Sequence, residues 1–167
     1  MSNFVIVLVL AVVGVGALLL SKFLNRKPLQ EMSAARQQLM DRARSLQDGN
    51  VDQFLDEHGL ASVDRAAALS ILQLFGKLLD VPVEKVARNY GMKELFVVSR
   101  PGSGAELHPF STEIVEGLAS ISDKERWEQR WSSNPDLPRN EDALVGFVLG
   151  MSVPQVVRFF ASLMKRV

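Results

Sequence analysis

The sequence has no cysteine, two histidines and one tyrosine in 167 residues. Without cysteine there is no disulfide, no thiolate metal site, no cysteine nucleophile and no lipidated cysteine anchor. His58 and His108 are too few for a histidine-rich metal site, so neither a metal nor a cofactor is expected. An excess of either charge is missing too. Nineteen basic and nineteen acidic side chains cancel to a net charge of zero, which removes any whole-molecule attraction to nucleic acid or an anionic surface. Neither the Gly-x-Ser-x-Gly elbow of a serine hydrolase nor the Gly-Lys-Ser/Thr of a phosphate-cradling loop occurs. Apolar residues, by contrast, make up 47% of the chain, too many for disorder throughout.

Much of that apolar content is local. Phe4 to Leu20 is an unbroken run of 17 apolar or glycine residues, and a membrane-crossing helix needs roughly 17–25. Residues 1–24 are therefore expected to form a single transmembrane anchor, with Lys22 reaching back to the interface. A cleaved signal peptide fits less well, because Met-Ser-Asn is not basic and Ser-Lys-Phe is no cleavage site. The flanking charges Lys22, Arg26 and Lys27 all follow the run. By the positive-inside rule the N-terminus faces out and the remaining chain lies in the cytoplasm, at an inner membrane of bacterial type. Membrane lipid is thus one expected partner, through the N-terminal helix.

The zero net charge also divides along the chain. Residues 22–44 carry six basic and two acidic groups, residues 45–60 four acidic and no basic ones, and residues 101–142 nine acidic against four basic. The expected organisation is an anchor over 1–24, a basic juxtamembrane amphipathic helix over 25–49 and a helical cytoplasmic domain over 50–167. Met32, Leu39 and Leu46 recur every seven residues beside Ala35 and Ala43, a thin apolar seam that would rest on the domain or on lipid headgroups. Asn50-Val-Asp-Gln53 and Ser122-Asp-Lys-Glu125 read as capping boxes. Asp80 is read as the cap of a helix starting at Val81-Pro82 and running to Tyr90. Leu95-Phe96-Val97-Val98 is the one strand-like run. Asn140 and Ser152-Val-Pro-Gln155 open the last two helices. The expected fold is mainly α, an irregular set of short helices with at most one short β-hairpin.

Three functional readings follow. In the first, the protein is an adaptor, accessory subunit or regulator of a membrane assembly, binding other proteins of the complex or copies of itself. Its candidate interface is Trp127 and Trp131, four apart on one helix, with Arg126, Arg130 and the neighbouring Phe159 and Phe160. Tryptophan and arginine are enriched at interaction hot spots. In the second, the last two helices form a helix-turn-helix, with the small Gly146, the turn Gly150, and Val156 and Phe159 where that motif wants them. Val153, Pro154, Gln155, Val157 and Arg158 would project from its second helix, a composition poor for reading DNA. In the third, His58, beside Asp56 and Glu57, or His108, ahead of Glu113 and Glu116, belongs to an enzyme site. No motif supports that last reading, and no catalytic residue is assigned.

Overall fold

Helix α3 (Arg65–Leu79) is the centre of the fold. Its inward residues Ala67, Ala68, Ile71, Leu72, Phe75, Gly76 and Leu79 repeat at helical spacing, so one face is apolar along four turns. α4 (Val83–Val86), α6 (Ser111–Ile121) and α9 (Val153–Ala161) pack around it, and α8 (Glu141–Leu149) packs on α6 and α5 (Met92–Phe96). A computed structural model supplies these coordinates. It describes residues 28–60, 65–100, 102–134, 137–138 and 140–164, with the side chains of Trp131 and Glu141 left aside. Within that set the chain is mainly helical, with one two-stranded sheet. The remaining helices are α1, described over 28–45, α2 (Val51–Glu57) and α7 (Lys124–Ser133).

Among the described residues no helix is long and apolar enough to cross a membrane. The expectation of a single-pass, membrane-spanning architecture is corrected accordingly: the described structure is a helical domain without a spanning helix. The segment that carried the expectation, residues 1–24 with the flank Lys22, Arg26 and Lys27, lies outside the described residues.

The basic helix does rest on the domain. Ala35, Leu39 and Ala43 of α1 are buried in the common core, whereas Met32 is exposed. Its arginines turn to protein groups. Arg36 donates to the carbonyl of Pro109 (3.2 Å), pairs with Glu113 and lies 4.5 Å from the Phe110 ring centroid. Arg42 donates to the carbonyl of Val97 (3.0 Å). Burial pushes its pKa down, partly countered by the charge of Glu94. Arg44 reaches Asp80 at 2.5 Å, a hydrogen bond that raises its pKa.

Several boundaries differ from the local reading. Leu95 and Phe96 are helical, in α5, and only Val98–Ser99 (β1) pairs antiparallel with Glu106–Leu107 (β2). The hairpin turns at Arg100–Gly104, where Gly102 (φ 77°) and Gly104 (φ 66°) adopt backbone angles that favour glycine. Asp80 does not cap the next helix. It has φ 54° and terminates α3, and the following Val81 N–H returns to the Gly76 carbonyl at 2.9 Å. The next helix is one turn, Val83–Val86, and does not reach Tyr90. Asn50 caps α2 through Asp52 N and Gln53 N as expected, but the Gln53 amide donates to Glu57 (2.6 Å), leaving the box half made. At α7 the cap is Asp123, not Ser122; the Ser122 hydroxyl is buried and donates to the Leu118 carbonyl (2.6 Å).

Two backbone clasps join segments distant in sequence. Met92 N donates to the Met151 carbonyl (2.9 Å) and Val153 N to the Tyr90 carbonyl (2.8 Å), so the α8–α9 turn is pinned beside α5. Asp123 N donates to the Leu163 carbonyl (2.7 Å), holding the start of α7 against the turn after α9.

Candidate functional site

The sequence KERWEQRWSS gives α7 three kinds of surface. Residues three and four apart share a helix face. Trp127 faces the core, 8% exposed, with its ring edge-on to Phe160 (5.4 Å) and Phe159 (6.1 Å). Glu125 and Glu128 share a second face, where Lys124 sits 4.0 Å from Glu128. Arg126, Gln129, Arg130 and Ser133 share the third. This last face and the turn after α9, at Ser162 and Leu163, line a groove of about 460 Å³.

The groove is built by the second clasp. Arg126 donates from one guanidinium nitrogen to the Met164 carbonyl (2.9 Å), satisfying a carbonyl beyond the end of α9. Arg130 is exposed, and its guanidinium carbon lies 5.9 Å from the centroid of the half-buried Phe159 ring, a cation–π arrangement. Phe159 is in turn held edge-on by Phe147 (5.5 Å) and Phe160 (5.1 Å). Neither arginine has an ion pair with a described carboxylate, and no acidic residue is among the described residues that line the groove. Arg36, Arg44, Arg65 and Arg100, by contrast, each have an acidic partner.

The structure therefore sorts the expected interface residues. Arg126, Arg130 and Phe159 come together at one surface. Trp127 and Phe160 (0% exposed) hold that surface from beneath and present almost nothing to a partner. Trp131 lies in α7, with its side chain outside the described set. Gln129, Ser133, Ser162 and Leu163 were missed. The first two were findable, because 126, 129, 130 and 133 follow helical face spacing. The last two join only through the tertiary clasp.

The helix-turn-helix expectation meets a different arrangement. Val153 and Val157 are fully buried and Pro154 is buried, so α9 turns its apolar residues into the core and cannot project them into a DNA groove. Arg158 donates to the backbone carbonyl of His58. Gly150 is the C-cap of α8, but Gly146 is exposed and a methyl placed there would touch no described residue within 4 Å. It serves no close packing among the described residues. Gly146→Ala is therefore expected to stabilise the domain by about 1 kcal/mol, through helix propensity alone. A urea melt showing a lower midpoint would mean that something else packs there.

The histidines fall in separate grooves. His58 meets the Phe54 ring edge-on (ring centroids 5.0 Å apart) and, with Asp48, Glu57 and Arg88, lines a cleft of about 510 Å³. His108 lies 3.9 Å from a Glu106 oxygen, in a second groove with Arg36 and Glu113. Its Nδ1 is buried without a hydrogen-bond partner among the described residues. Among those residues no three His, Asp or Glu side chains are placed to hold a metal ion. Comparisons with protein-family models, curated proteins and solved structures find no match to this chain.

Proposed function

We propose that the domain acts by binding another protein, as an adaptor, accessory subunit or regulator, and that the α7–α9 groove is the contact surface. The observation that carries this reading is the exposed Arg130 set over Phe159 beside a groove with no carboxylate among its described lining residues. Arginine and aromatic residues concentrate binding energy when a partner excludes water from them. The scaffold beneath is rigid in the relevant sense: Trp127, Phe159 and Phe160 interlock, and the Asp123–Leu163 and Arg126–Met164 hydrogen bonds fix the two walls. A preformed surface loses less entropy on association. The DNA-binding reading has only Gln155 and Arg158 left on α9 to face a groove, and Arg158 is engaged by His58.

Site-specific photo-crosslinking in living cells tests the proposal. A photoreactive amino acid replacing Gln129, which lines the groove, is expected to give a discrete adduct with one or a few proteins. The same probe replacing Lys77, exposed on α3, is expected to give none. Equal adduct patterns at both positions, or none at Gln129, would remove the α7–α9 face as a binding surface.

A further inference from the structure

We propose that the α7–α9 groove takes a short acidic peptide, pairing Arg126 and Arg130 with two carboxylates of the partner. The inference rests on the reading of this face as a protein-binding surface and goes further by naming the chemistry of its partner. Three observations lead to it.

The first is charge without a counter-charge among the described residues. Both arginines point along the same face, one helical turn apart, with side-chain origins about 5–6 Å from each other. Arg126 spends one donor on the Met164 carbonyl, and the Arg130 guanidinium has no hydrogen bond to a described residue. Most of their N–H donors are therefore available. An arginine fork matches a carboxylate with two parallel hydrogen bonds, so two forks one turn apart suit two acidic side chains on a single segment.

The second is the polar lining between them. Gln129 and the hydroxyls of Ser133 and Ser162 stand in the groove. Both hydroxyls donate to helix carbonyls, of Gln129 (2.8 Å) and Phe159 (2.7 Å). Their oxygen lone pairs remain as acceptors, and the Gln129 amide offers both donor and acceptor. That combination suits peptide N–H and C=O groups. A bare anion would use only the donors.

The third observation limits the length of the ligand. The neighbouring face of α7 carries Glu125 and Glu128, and its first turn is capped by Asp123. A long polyanion such as nucleic acid draws affinity from many successive phosphates and would run from the groove into those carboxylates. A segment of a few residues stays inside the volume of about 460 Å³.

The test uses the full chain and fluorescence polarisation with a labelled hexa-glutamate peptide. Hexa-lysine, inorganic phosphate and a ten-nucleotide single-stranded DNA serve as comparison ligands. Salt-sensitive binding of hexa-glutamate is expected, without binding of hexa-lysine. Arg130→Gln, at an exposed position, is expected to weaken it about tenfold, because it removes a charge-assisted pair, and Arg126→Gln with Arg130→Gln to abolish it. Arg130→Lys should fall between. Thermal melts check that each variant remains folded, and Arg130→Gln alone suffices if Arg126→Gln does not fold. Three outcomes overturn the proposal: no binding of hexa-glutamate, displacement by millimolar phosphate alone, or tighter binding of the DNA. If crosslinking at Gln129 captures a protein while hexa-glutamate does not bind, the face recognises its partner by other chemistry. The binding-surface reading then survives without this one. If neither experiment gives a signal, both fail.

Discussion

Replacing Trp127 by alanine is expected to lower folding stability by about 3–5 kcal/mol, the usual cost of truncating a large buried aromatic. The indole is 8% exposed and fills the space between α7 and the two phenylalanines of α9. Its removal leaves a cavity under Phe160, which is fully buried and cannot move far without disturbing α3, on which α9 packs. The edge-on ring contacts are lost as well, and such pairs contribute about 0.5–1.5 kcal/mol beyond area burial. A small domain is stable by only about 5–15 kcal/mol in total, so the variant should melt far earlier in urea. Trp127→Phe keeps a ring and is expected to lose much less. A loss under about 1 kcal/mol for the alanine variant, the range typical of surface changes, would show that Trp127 is not a core anchor. Its exposure to a partner would then have to be reconsidered. The same measurement separates two roles that a sequence reading runs together. A tryptophan beside arginines is a marker for interfaces, yet here the arginines face the groove while the tryptophan supports it.

That division shows what was legible in the residues themselves. Helix starts with a polar cap close to the first turn were readable, because the chemistry is local. Asn50 and Asn140 accept backbone N–H groups, and Gln155 reaches back to Ser152 N at 2.8 Å. Gly102 and Gly104 in the hairpin turn are local chemistry of the same kind. Where the reading slipped, a distant contact decided the outcome. Leu95 to Val98 is β-branched and aromatic enough to read as a strand. The α8–α9 turn grips the preceding residues through Met92 and Met151, and the first turn of α5 forms there, placing Leu95 and Phe96 in the core. Asp80 could have capped a helix on its own chemistry. Instead the chain reverses at that residue, with the carboxylate turned to Arg44 of α1, 36 positions earlier. The groove shows the same split. Its α7 wall follows from spacing, whereas Ser162 and Leu163 arrive through the Asp123–Leu163 clasp, which no local pattern encodes.

Leu39→Ala is expected to cost about 2–5 kcal/mol, whereas Met32→Ala on the same helix should stay within about 0.5 kcal/mol. A seven-residue seam would make these two positions equals, since Met32, Leu39 and Leu46 line up on such a repeat. A straight helix drifts about 20° per seven residues relative to that repeat, so the three cannot all face one flat surface equally well. The observed contact stripe is instead Ala35, Leu39 and Ala43, at steps of four. The two alanines are small enough to bring the α1 backbone close, and Leu39, at 0% exposure, is a large side chain fully buried in the common core. Met32 remains 37% exposed at the rim. The arginines reinforce this docking. Arg42 and Arg36 donate to the carbonyls of Val97 and Pro109, groups that lie at the two ends of the hairpin region. Losing Leu39 should therefore destabilise the whole domain in a single urea transition, with the same denaturant dependence as the parent protein if folding is two-state. A Leu39→Ala variant as stable as the parent would mean that α1 lies beside the folding unit, not within it. A separate early transition confined to α1 would place the helix outside the cooperative core. The contrast between Leu39 and Met32 thus decides whether residues 28–45 belong to the domain's core or only connect to it.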